Sequence, residues 1–314
     1  MKDNGFAVEL QEVEPGRFQT IGRITGSDGG PSMMFNAHMD IGPVLEFTWT
    51  KRDPYDPYVR DGRIHGHGIE NMKGGLAAMV MAAISLKRSD IKLRGDLMVT
   101  PVVGELQGGV GSKYLVDHGV KTDYALVPEP SGCTVRVATA GCAEFLIHTC
   151  GLDKRVNALQ KMFKVWETLR EASQTKNFTY TYFPGKPELP LINIGGIIGG
   201  LGHDHSFFRC PPNYADVCTI GVDIRIVPGQ TEESVKNDLT RILSRLKTED
   251  NDFHFEIEGP PSTYTKQWPL FKHFVPPANL SPDATIVRLT AKNHQLITGE
   301  KATVWTQPHQ TAYN

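Results

Sequence analysis

The sequence predicts an α/β protein in which a mixed sheet is flanked by helices and a β-α-β-β-α-β unit is inserted into the chain. Three observations carry this expectation: apolar, β-branched runs that end on polar residues, helix-forming segments that follow Gly-rich turns, and a change of rhythm after about Arg136. At 314 residues the chain exceeds what one hydrophobic core comfortably serves, so two compact units are expected.

The stretch from Phe18 to Ile24 and the run PSMMFNAHMD read as strands, and the second ends where His38 and Asp40 emerge. Residues at the C-terminal ends of strands commonly face a crevice in α/β sheets. After a polar, turn-rich span from Lys51 to Gly62, GHGIENMKGGLAAMVMAAISLK passes from a Gly-rich loop into an Ala-rich helix and carries Asn71 to the helix N-terminus. DLMVTPVVGE has the composition of a buried parallel strand, and GGVGSKYLVDHG reads as a turn into another helix, with Glu105 at the junction. KTDYALVPEP repeats the arrangement and ends at Glu129, before a helix-breaking proline.

From Arg136 the segments RVATAGCAEFLIHT, VNALQKMFKVWETLR, PLINIGGI, ADVCTIGVDIRIVP, TEESVKNDLTRILSRL and FHFEIEG follow as strand, helix, strand, strand, helix, strand. Such a unit places its helices on one face of an antiparallel sheet. The expected organisation is a first domain over 1–132, an inserted domain over 133–259 and a return to the first domain over 260–314.

Hydrophobic residues make up 39% and charged residues 22%, and no apolar run approaches the roughly 20 residues that span a bilayer. No membrane contact is therefore expected, and the opening MKDNGFAVEL has no signal-like core, which points to the cytoplasm. Lys plus Arg number 33 against 35 for Asp plus Glu, with no basic stripe, so nucleic acid is not an expected partner. Cys133, Cys142, Cys150, Cys210 and Cys218 form no CxxC pair and read as free thiols. The glycines of GHGIEN lack the third glycine of a dinucleotide fingerprint, and no GK[ST] phosphate loop occurs.

NAHMD, GHGIENMKGG, VVGELQGGVG, VPEP and VDIRIVPGQT occur in the order found in the metal-dependent deacylase and exopeptidase family, which the chain resembles over nearly its whole length. Acetylornithine deacetylase, succinyl-diaminopimelate desuccinylase, aminoacylase and glutamate carboxypeptidase are members. The resemblance implies a zinc-exopeptidase-like catalytic domain with an inserted domain that mediates dimerisation. It also implies that His38 binds a metal and that Asp40 orients its imidazole. Glu129 matches a further ligand, and Glu105 the general base.

Two positions depart from the family pattern. Asn71 stands where a bridging aspartate is usual, and Leu106 where a terminal glutamate ligand is usual. Two dications roughly 3.5 Å apart repel by about 19 kcal/mol at an effective dielectric of about 20, an upper bound that bridging anions must offset. Two lost negative charges therefore predict one divalent ion per chain (manganese, zinc or cobalt) held by His38, Glu129 and the Asn71 side-chain oxygen. A one-position slip that makes Glu105 the ligand stays open.

The implied activity is hydrolysis of a carbon-nitrogen bond in a small, carboxylate-bearing molecule. Its rivals are hydrolytic deamination of an aromatic amine, as in 5-nitroanthranilic acid aminohydrolase of the same broad family, and a metal-free binding protein on the same fold. Arg209 is a candidate partner of a substrate carboxylate and His67 a candidate substrate contact. His65 and His67 read as loop residues near the site, His203 and His205 as surface or interface residues, and Arg225 as a residue of the inserted domain's sheet edge or interface. The family's substrate-facing histidine and its final metal-binding histidine have no counterpart here, so family segments are expected beyond the given sequence after Gly151 and after Asn314.

Overall fold

The computed structural model describes residues 1–44, 52–151, 156–183, 188–202 and 215–305. The chain forms two compact units that divide between Val135 and Arg136. In the first, five strands lie in the order Ala7–Glu14, Arg17–Ile24, Leu97–Val102, Met33–His38, Tyr124–Leu126. Met33–His38 is parallel to both neighbours, whereas Arg17–Ile24 is antiparallel to Leu97–Val102, so the sheet is mixed, as expected. Leu97–Val102 is buried along its whole length. That is why its sequence is apolar but for the hydrogen-bonded Thr100 and does not alternate.

Successive strand side chains point to opposite faces, and the first sheet uses both. Leu97 and Val99 pack with Ala37 and with Met79, Ala83 and Ile84 of the helix Gly74–Arg88. Val102, of the other parity, packs with Ile21 and with Leu115 of the helix Val110–Asp117. The strand Ala7–Glu14 was not foreseen: it is an edge strand with most side chains exposed, and its polar AVELQEVE carries little hydrophobic signal.

The second unit carries an antiparallel sheet in the order Leu191–Gly200, Val217–Ile226, Gly141–Cys150, His254–Glu258. The helices Ala158–Thr175 and Glu232–Glu249 supply Met162, Val165, Leu169, Leu239, Ile242 and Leu243 to a core shared with Phe145, Ile147, Ile220 and Ile224. Asn157 caps the first helix by accepting from the Leu159 and Gln160 amides, and Thr231 and Ser234 form a capping box on the second.

Two features differ from the sequence expectation. The unit begins at Arg136, against the expected Cys133, and the described residues after Gly259 belong to it and do not return to the first unit. Backbone pairing decides this: Phe274–Val275 adds to Cys142 and Ala143, and Ala278–Asn279 pairs with Ala138–Thr139. Arg225 is not on an edge strand, because Val217–Ile226 is paired on both sides, and its guanidinium donates to Asp223 Oδ2. Among the described residues no helix is long and apolar enough to cross a membrane.

Candidate metal and catalytic site

His38 ends its strand almost fully buried, and its backbone N–H points at Met72 Sδ at 3.2 Å. Its Nδ1 lies 2.7 Å from the Asp40 carbonyl oxygen. A carbonyl only accepts, so Nδ1 carries the proton and Nε2 of the neutral ring is left with its lone pair. Around Nε2 stand Asn71 Oδ1 at 2.9 Å, Glu129 Oε1 at 3.3 Å and Glu105 Oε2 at 4.0 Å.

The structure therefore brings His38, Asn71, Glu105 and Glu129 together, each from a different segment. Asn71 sits in the irregular turn Ile69–Lys73 ahead of the helix Gly74–Arg88, with non-helical backbone at Asn71 and Met72. Glu105 opens the short turn Glu105–Gln107 after Leu97–Val102. Glu129 lies beyond Tyr124–Leu126, and Gly75 gives its segment room: a Cβ there would come within 2.1 Å of Pro128 O.

Asp40 meets the His38 ring as expected of an orienting residue, but through its backbone. Its carbonyl, not its carboxylate, meets the imidazole; Oδ1 accepts from the amides of Gly104 and Glu105 at 2.9 and 3.3 Å and Oδ2 from Leu106 at 3.1 Å. His38, Asp40 and Glu105 can each bring a donor atom within 4.8 Å of the others. Both Asp40 oxygens are already engaged by amides, however, so its carboxylate fastens the turn that presents Glu105.

Burial of the His38 ring works against its charged form, but the hydrogen bond to Glu129, the charge of Glu105 and the Asp40 carbonyl outweigh it and lift the pKa to about 9. Acceptor atoms thus converge on one point, where a proton or another cation is stabilised. Two donors bound at about 2.0–2.1 Å to one ion, at 90–109° to each other, stand about 2.9–3.4 Å apart. The His38–Asn71 and His38–Glu129 separations of 2.9 and 3.3 Å fall in that range, and the 4.0 Å separation to Glu105 falls outside it. The donor set fits a divalent ion.

His67 Nε2 lies 2.7 Å from the Gly42 carbonyl, on the loop just after His38 and Asp40, and its ring meets the Tyr55 ring edge to face. His65 stacks on Tyr58 within a short hairpin. Neither joins a metal-holding group among the described residues. Leu106 is 49% exposed on the turn. Arg209, His203 and His205 lie outside the described residues.

The mixed sheet thus brings an imidazole and two carboxylates from its strand ends together with an amide oxygen from the turn ahead of a helix, a donor set of the class that binds divalent cations. Residues 34–308 match the model of peptidase family M20/M25/M40, and the chain belongs to that family. It is 27% identical over 268 residues to an N-formyl-4-amino-5-aminomethyl-2-methylpyrimidine deformylase of Bacillus subtilis, covering 80% of this chain and 61% of that protein. A deformylase of the same name from Halalkalibacterium halodurans is 28% identical over 318 residues, covering 95% of this chain and 72% of the relative. Human carnosine dipeptidase 1 shares the fold at a TM-score of 0.70 with 15% identity, covering 99% of this chain and 77% of that one. The chain thus spans 61% and 72% of the length of these two deformylases.

Proposed function

We propose that the protein hydrolyses the carbon-nitrogen bond of a short N-acyl amide on a small molecule, with one divalent ion held by His38, Asn71 and Glu129 and with Glu105 as general base. The convergence of Asn71 Oδ1 and Glu129 Oε1 on His38 Nε2, with Glu105 Oε2 set back at 4.0 Å, carries this reading. A bound divalent ion supplies Lewis-acid polarisation of a carbonyl and an acidified water. The Glu105 carboxylate accepts the proton of the attacking water and returns it to the leaving nitrogen. Its burial keeps that proton from bulk solvent. The Asp40 carbonyl holds the His38 tautomer that leaves Nε2 open.

The activity for which the two deformylases are named supports a small acyl group on an aminopyrimidine-like amine as the first substrate class to try. A substrate carboxylate would call on Arg209. His67 acts on this reading by pinning the Gly42 loop beside the site. A homodimer through the second unit is the expected assembly. Its support is the exposed stripe Leu159, Phe163 and Trp166 on the helix Ala158–Thr175, beside the edge strand Leu191–Gly200.

The test is metal analysis of the purified protein followed by mass spectrometry of products from a panel of N-formyl and N-acetyl amines and aminobenzoates. One ion per chain with release of formate or acetate is the expected result. Ammonia without a carboxylic acid would replace the amide reading by deamination, and binding with neither metal nor turnover across the panel would leave a metal-free binding protein.

A further inference from the structure

We propose that Arg17, itself held by Glu14, is a positioning residue for Glu105 and acts through the side chain of Gln107. This inference rests on the reading of Glu105 as the base. The turn that carries Glu105 is built largely from glycine: Gly104, Gly108 and Gly109 have φ of 77°, 82° and 75°, in the left-handed region. Such backbone is easily reached by glycine and is not held by it, so its geometry depends on anchors from outside.

One anchor is the Asp40 carboxylate, which takes the amides of Gly104, Glu105 and Leu106. Those bonds fix one side of the turn. On the other side Gln107 is buried, and its Oε1 accepts from Arg17 Nη1. The same Nη1 also donates to Glu14 Oε2 at 2.7 Å, with the Arg17 and Glu14 side chains 29% and 15% exposed.

The contact sits against the residue before Glu105: a Cβ on Gly104 would lie 3.1 Å from Gln107 Oε1 and 3.5 Å from Arg17 Nη2. Glu14 and Arg17 are paired across the first hairpin, where the strand register shifts between Glu12 and Glu14. A bulge re-aims the side chains beside it, and here the re-aimed pair meets Gln107. Gln19, further along the same strand, donates to Gly111 O at 3.2 Å and ties down the start of the next helix. The hairpin thus braces the segment that presents Glu105, although none of its residues belongs to the convergent donor set.

The experiment combines hydrogen exchange of backbone amides 103–111, zinc-ion titration and steady-state kinetics with an N-formyl amine on the full chain. The variants are Arg17→Met, Arg17→Lys and Gln107→Leu, with Arg23→Met as a control at an exposed residue further along the same strand. All measurements are made well below each unfolding midpoint. Arg17→Met and Gln107→Leu should speed exchange in this segment at least roughly tenfold and lower kcat roughly 10- to 100-fold. KM and zinc affinity should stay near the parent values.

Arg17→Lys should recover part of both losses, and Arg23→Met should change neither. Unchanged exchange in Arg17→Met overturns the proposal, as does a fall in zinc affinity that parallels kcat or a loss of protection spread over the whole unit. If no substrate in the panel is turned over, exchange and zinc titration still decide the bracing of the turn, while the enzymatic reading alone fails.

Discussion

At His38 the direction of one hydrogen bond decides which nitrogen serves the site. The proton sits on Nδ1 because the Asp40 carbonyl needs a donor, and Nε2 is left to Asn71 and Glu129. Glu105, set back from that cluster, is tested by Glu105→Gln, which keeps the shape and removes the base. Turnover should fall roughly 10²–10⁴-fold with metal content unchanged, read by kinetics beside elemental analysis; loss of the metal would instead make Glu105 a ligand. The double change Asn71→Asp with Leu106→Glu restores two negative charges and should raise metal capacity towards a second ion, measured by titration. These positions were legible as motif positions. The true partner of the Asp40 carboxylate was not, because the amides it binds lie 64 to 66 residues away in the chain.

At the scale of elements, the second glycine of MKGG has a packing reason. A Cβ at Gly75 would collide with Pro128 O, so Gly75→Ala should push back the segment that carries Glu129. A roughly 10- to 100-fold loss of zinc affinity is expected from displacing a ligand's support, measured by calorimetric titration of parent and variant. In the second unit Glu144 stands on Gly141–Cys150 directly opposite Asp223. Burial first, then the Asp223 charge, push its carboxyl up from 4.5 to about 7, with Arg225 offsetting part of the effect. A raised pKa means that folding takes up a proton. The Glu144 contribution to stability is therefore full below about 4.5 and is lost as pH rises through about 7, by roughly 2–3 kcal/mol. Denaturant midpoints of the second unit should fall across that window, and Glu144→Gln should flatten the slope; an equal slope in the variant would assign it to another group.

For the whole molecule the open question is how many copies associate. The stripe Leu159, Phe163 and Trp166 beside an edge strand is the surface expected to meet a symmetry mate in an isologous contact. Light scattering at micromolar concentration should give a dimer, and Phe163→Glu with Trp166→Glu should give a folded monomer. A monomeric parent would remove this surface from the assembly.

The sequence by itself determined the fold class, the β-α-β-β-α-β order of the second unit and the positions at the strand ends where His38, Glu105 and Glu129 emerge, but not the polar edge strand Ala7–Glu14. Apolar runs, amphipathic periods and glycine or proline punctuation are local signals, and secondary structure responds to them locally. Tertiary structure alone decided that residues after Gly259 pair with the second unit, that Asp40 fastens the Glu105 turn, and that Arg17 reaches Gln107 across 90 positions of chain. Those outcomes depend on which distant backbone groups come to lie within hydrogen-bond reach, and such meetings leave no periodicity in the sequence.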